Sequence, residues 1–195
     1  MFIQTEQTPN PNTLKFLPGR AILSNGSLEF SSAEAATGRS PLAERLFGVE
    51  GVENVFLGND FIAVTHRPNE DWTLLKTQVL AALMEHFTSN SPVLSNNAST
   101  EANADASEGA DGSESEDADA YIIQQINELL DSRIRPAVAR DGGDITFHSY
   151  DNGVVYLRLR GACSGCPSAT ATLKNGVENL LKYFIPEVTE VRAVR

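Results

Sequence analysis

Two cysteines, Cys163 and Cys166, lie close together in this chain, and it has no others. They belong to the run Gly161-Ala162-Cys163-Ser164-Gly165-Cys166-Pro167. Pro167 suits the first position of a helix, because its missing N–H would find no intrahelical partner there. The spacing therefore predicts both sulfurs on the turn that enters a helix. Unpaired backbone N–H groups and the positive end of the helix dipole lower a thiol pKa at such a place. Ser164 and Gly165 let the intervening backbone turn tightly. Two sulfurs aimed at one point can chelate a soft metal, cycle through a disulfide, or serve as inert core filler. A glycine-rich turn is a poor place for filler. Helix-entry Cys-x-x-Cys pairs with redox roles follow a βαβ unit, whereas a hairpin leads in here. Metal binding by Cys163 and Cys166 is the leading reading, and a thiol–disulfide oxidoreductase using the same pair is the alternative.

The ligand count is informative. Structural zinc sites and iron–sulfur clusters normally take four protein ligands, with thiolates dominant. His66, His86 and His148 are scattered and do not complete a set. A two-fold dimer in which each copy gives Cys163 and Cys166 reaches four ligands most economically. Glutathione or a partner's cysteine are other ways to complete it. A site between copies is exposed and opens when the dimer loosens, which suits handing a metal over better than storing it. A zinc-bridged interaction module satisfies the same count.

Composition narrows the setting. The 195 residues are 41% hydrophobic and 21% charged, with a formal net charge of −11. That excess of acid disfavours a nucleic-acid interface, which rewards Lys and Arg. No apolar run reaches the roughly 18–20 residues of a membrane span. The start, Met1 to Glu6, has neither a basic-then-apolar pattern nor an Arg/Ser-rich amphipathic one, so no leader is expected in the sequence as given. A cytoplasmic, bacterial address is the default, and a processed form from the mitochondrial matrix would read the same way.

The elements that must position the cysteines follow from the pattern. Residues 89–120 contain no Lys, Arg or aromatic residue and carry eight carboxylates, from Glu101 to Asp119. We expect a disordered acidic linker there. Before it, residues 1–88 hold no cysteine and read β-β-α-β-β-α. Short strands are expected at Phe2 to Thr5 and Leu14 to Phe16, and a helix opened by Ser40-Pro41 and closed by Gly48. A hairpin is expected around Gly58-Asn59-Asp60, then a helix capped by Asn69 with Leu75, Val79, Leu83 and Phe87 on one face. After the linker, residues 121–195 read α-β-β-α-β. The first helix carries Ile122, Ile126, Leu129, Leu130 and Ile134 and is expected to bend or restart at Pro136. Asp141-Gly142-Gly143-Asp144 stops it, with a supporting role near the cysteines as a secondary reading. Asp151-Asn152-Gly153 joins two strands, and the helix after Pro167 ends before Pro186. The fold class is α+β: two small α+β domains joined by the linker, the first with helices on one face of an antiparallel sheet.

The stretches Arg135 to Asp144, Leu159 to Ser168 and Thr172 to Glu178 resemble the NifU C-terminal domain. The opening Gln7-Thr8-Pro9-Asn10-Pro11-Asn12-Thr13-Leu14-Lys15-Phe16 resembles the N-terminal domain of Nfu proteins. Two departures stand out: the acidic linker is long, and Ala169 occupies a position where a second Ser is common. The resemblance implies an iron–sulfur cluster carrier and not an enzyme. It implies a homodimer bridged by one [4Fe-4S] cluster, or a smaller [2Fe-2S] one, with Cys163 and Cys166 as ligands. Its implied partners are iron–sulfur assembly donors and apo client proteins, and its N-terminal domain is implied to contact partners.

Overall fold

The computed structural model describes residues 2–95, 116–164 and 167–194, with side chains at 116–118 and 167–173 left aside. The chain divides into two compact units, 1–107 and 108–195.

The first unit is built on a five-stranded antiparallel sheet, in the order β1-β2-β5-β4-β3. Its strands are β1 Gln4–Gln7, β2 Thr13–Leu17, β3 Leu28–Phe30, β4 Val52–Leu57 and β5 Ile62–His66. Alternation decides what each strand buries. Leu14 pairs with Val64, and Val64 with Val55; Phe16 pairs with Ile62, and Ile62 with Leu57. Opposed residues share a face, so these six form two apolar rows across the sheet. Helices α2 (Pro41–Phe47) and α3 (Trp72–Thr88) cover the rows with Leu42, Leu46, Leu75, Val79 and Leu83. Ser40 caps α2, its Oγ accepting from the Ala43 N–H at 3.1 Å, and Gly48 ends it.

This unit departs from expectation in four ways. It contains two more elements than β-β-α-β-β-α, the edge strand β3 and the short helix α1 (Ala33–Ala36). Three residues are too few to show a period, and β3 exists because it pairs with β4 and seats Phe30 in the core. The first strand runs from Gln4 to Gln7, two residues later than expected, in register with β2. Asp71, not Asn69, caps α3: Asn69 takes a left-handed turn conformation (φ 76°), and the Asp71 carboxylate accepts from Thr73 N–H at 2.7 Å. Finally, residues expected at the start of the linker are docked. Ser40 Oγ donates to the Val93 carbonyl at 2.7 Å, the Ser95 N–H donates to the Arg39 carbonyl at 2.8 Å, and Val93 and Leu94 pack on the core. At the other end of the expected linker, helix α4 (Glu116–Leu129) already begins at Glu116. The rest of that segment, 96–115, lies outside the described residues.

In the second unit, α4 passes into a π-helical stretch, Leu130–Ile134, and then into α5 (Arg135–Arg140). Pro136 has no N–H to continue the ladder. The turn before it widens, so that the Arg135 N–H reaches back five residues to the Leu130 carbonyl. Ile126, Leu130, Ile134 and Val138 stay buried along one side through this widened turn. They pack on a sheet of β6 (Gly143–Asp151), β7 (Val154–Gly161) and β8 (Glu190–Val194). Asn152 and Gly153, both at positive φ, make the tight hairpin between β6 and β7. Helix α6 (Pro167–Phe184) crosses back so that β8 runs parallel to β7. Glu178 of α6 accepts from the Val191 N–H at 3.0 Å, which fixes β8 beneath the helix.

Candidate metal centre

Cys163 lies two residues past the end of β7, in a turn that the Ser164 N–H and Oγ close by donating to the Gly161 carbonyl at 3.1 and 2.8 Å. The turn is tied to the α5–β6 junction: the Ala162 N–H donates to the Gly142 carbonyl at 3.1 Å. Gly143 and Gly161 are register partners at this end of the hairpin. Gly143 is there because the thiol needs the space. A Cβ on it would sit 2.7 Å from Cys163 Sγ and 2.7 Å from the Arg160 carbonyl oxygen. The Asp-Gly-Gly-Asp run thus stops a helix and also forms the wall of the cysteine site.

Beside that wall, Asp144 is buried and gripped by Arg135 from α5. Nε meets Oδ1 at 2.9 Å and Nη2 meets Oδ2 at 3.0 Å, and Oδ1 also accepts from the Ile145 N–H at 2.8 Å. Arg135 reaches on to Asp131 at 2.8 Å. Its guanidinium pKa is raised, first by the hydrogen bonds to Asp144. The sequence pattern reads Asp144 first as part of a helix stop, with support of the cysteines as the secondary reading. The signal for its partner is the break at Pro136, which marks where the helix turns Arg135 inward.

Cys163 itself is only 6% exposed and sits in the apolar core of the second unit. Burial, followed by the negative charges of Asp141 and Asp144, pushes its thiol up to about 12. That reverses the expected lowering. The cause is position: Cys163 lies four residues before α6, packed against the core and facing the charges of two carboxylates. Cys166 lies outside the described residues, so the distance between the two sulfurs is not part of the structure. Helix α6 begins at Pro167, where the proline suggested a start.

The histidines stay apart. His66 and His86 are buried in the first unit, and His148 is exposed on β6. Among the described residues, no group of three or more His, Cys, Asp or Glu side chains converges to hold a metal ion. Nor is any helix among them long and apolar enough to cross a membrane. The aliphatic wall behind the Cys163 thiol suits a thiolate-bound metal shielded from water on one side.

Comparison with known proteins covers both units. The scaffold protein Nfu/NifU N-terminal family matches residues 3–90, and the NifU-like domain family matches residues 126–192. A Drosophila willistoni protein, "NFU1 iron-sulfur cluster scaffold homolog, mitochondrial", is 49% identical over 197 residues. All of this chain aligns to 64% of it, so the chain spans a little under two thirds of that relative's length. The Homo sapiens protein of the same name is 46% identical over 196 residues, with 72% of its length covered. Among solved structures, a NifU-like protein from Saccharomyces cerevisiae is 27% identical. It covers 49% of this chain and 86% of its own, with a TM-score of 0.45.

Proposed function

The chain belongs to the Nfu family, and we propose that it is an iron–sulfur cluster scaffold that carries its cluster to other proteins. Two copies each contribute Cys163 and Cys166 and hold one [4Fe-4S] cluster between them, which then passes to apo-proteins. The cluster is cargo. The observation that carries this reading is the ligand count: the only two cysteines of a 195-residue chain stand together inside the NifU-like region, two short of the four thiolates a cluster normally takes. The relatives named above are scaffold proteins for iron–sulfur clusters, which supports the same conclusion.

The local chemistry gives each residue a task. Gly143 leaves room for the Cys163 sulfur, and the grip of Arg135 on Asp144 fixes the strand that Gly143 begins. Before loading, Cys163 is a neutral, buried thiol, and an arriving iron must displace its proton. A thiol held near 12 is a weak nucleophile at neutral pH, which argues against the oxidoreductase alternative. A shared site has no permanent lid, and loosening of the two copies exposes the cluster to an acceptor's own thiolates. The partners that follow from this are iron–sulfur donors and apo clients. The mitochondrial names of the relatives favour a mitochondrial address over a cytoplasmic one.

Anaerobic reconstitution with ferrous iron and sulfide, followed by mixing with an apo [4Fe-4S] enzyme, tests the proposal. We expect a brown protein with charge-transfer absorption that falls as the acceptor's activity rises. A protein that stays colourless, or that keeps its cluster in the presence of the acceptor, overturns it.

A further inference from the structure

The cluster chemistry leaves the Thr8-Pro9-Asn10-Pro11-Asn12 run of the first unit without a task, yet this run is held more firmly than a connecting turn requires. Thr8 Oγ1 lies 2.9 Å from both the Asn10 and Thr13 carbonyl oxygens and accepts from the Asn10 N–H at 3.2 Å. The Asn10 side chain, buried, accepts from the Asn12 N–H at 3.0 Å, and the Thr13 N–H closes on the Asn10 carbonyl at 3.0 Å. The Pro11 carbonyl, 3.3 Å away, accepts from the indole N–H of Trp72. Trp72 is clamped further by edge-to-face contacts with Phe16 and His66, at 6.3 and 5.1 Å between ring centres. A rigid rim and a fixed aromatic side chain are what a preformed binding groove needs.

A groove is present there. A cavity of about 570 Å³ lies between this rim, Thr5 and Gln7 of β1, and Trp72 and Lys76 of α3. Thr5 and Gln7 pair with Phe16 and Leu14, so they stand on the helix-covered face of the sheet. Helix α3 covers the core rows and leaves room above β1. That strand is also the edge of the sheet, and among the described residues β2 is its one strand partner. Neither a proline nor an inward charge blunts this edge. Glu6, on the opposite face, is matched by Lys15 at 3.4 Å. Lys76 is the one charged residue that lines the groove, in a chain of net charge −11.

We infer that this groove docks an extended, acidic segment of a partner protein, which adds a strand to the open side of β1 and sets a carboxylate against Lys76. Backbone pairing supplies the orientation, and alternate side chains enter the groove. Same-face residues of a strand are about 7 Å apart. Trp72 and Lys76 are one helical turn apart, about 6 Å along the axis. The matching pattern is a carboxylate two positions from an apolar residue, the first on Lys76 and the second on Trp72. The partner is therefore recognised by an Asp/Glu-x-apolar strand, a surface distinct from the cysteine site and independent of the cluster proposal.

Trp72 is the chain's only tryptophan, so it reports the event directly. Random-sequence peptides displayed on phage are selected on the full chain and counter-selected on the full-length Lys76→Glu variant. We expect enrichment of alternating sequences with Asp or Glu two positions from an apolar residue. A synthetic peptide of that pattern is expected to change Trp72 emission saturably. Its affinity should fall about tenfold or more with Lys76→Glu, by less with Lys76→Gln, and also when alternate peptide amides are N-methylated. No enriched pattern, enrichment that survives Lys76→Glu, or binding indifferent to N-methylation overturns the inference.

Discussion

The two units use similar materials and handle their buried polar groups differently. The first seats Ser40 and Asn10 in its interior and satisfies them with hydrogen bonds to backbone groups, so that the polar atoms serve the fold. The second holds a thiol and a carboxylate, Cys163 and Asp144, at one corner of its core. A glycine on the neighbouring strand is kept small to admit the thiol. Ser40 and Asn10 position the backbone of one unit, while Asp144 of the other braces the strand beside a buried thiol. On the proposals made above, the metal site belongs to the second unit and the docking edge to the first.

The comparison breaks most visibly at the cysteines. Replacing Cys163 or Cys166 by Ser removes two of four thiolates from a dimeric site. Iron and sulfide analysis after reconstitution should then read near zero, with the unfolding of the first unit, followed by Trp72 fluorescence, unmoved. The converse test is Phe16→Ala. Phe16 is fully buried in the first core, and its truncation should cost about 3–5 kcal/mol in denaturant unfolding read at Trp72. Cluster loading should persist, and its loss would show that the units are not separable in function.

A subtler test is Gly143→Ala. One methyl group forced against Sγ and the Arg160 carbonyl should destabilise the second unit by about 1–3 kcal/mol. It should also weaken iron retention while leaving the Trp72 transition in place. The smallest expected effect is one of pH on the first unit. His86 is fully buried, and its pKa is lowered, first by burial and then by the charge of Arg45. Below the unfolded value of about 6.5, the unfolded chain takes up a proton that the folded one refuses, so stability falls as pH drops. Denaturant midpoints at Trp72 should decline from pH 7.5 toward pH 5.5, and His86→Leu should flatten that slope.

Much of this was legible in the sequence where signals were local. Ser40-Pro41, Gly48, Asn152-Gly153 and Pro167 set the ends of their elements as their backbone chemistry requires. The apolar spacing of Leu75, Val79, Leu83 and Phe87 marked the buried face of α3. What was not legible depends on tertiary contact. Strand β3 exists through β4, and Val93 and Leu94 are hydrophobic in a polar run whose docking no local pattern reveals. The direction of the Cys163 shift was misread for the same reason: helix proximity is a sequence property, but burial beside Asp141 and Asp144 is a property of the fold. Gly143 looked like part of a helix stop because its neighbour across the hairpin, Cys163, is twenty residues away in sequence.

The central claim is that Cys163 and Cys166 are half of a site. Native mass spectrometry of the reconstituted full chain tests it most directly. The account predicts a species of two chains with about four iron and four sulfide ions, which collapses to monomer when the cluster is removed. A single chain carrying a complete cluster, or a dimer that persists unchanged without iron, would contradict it.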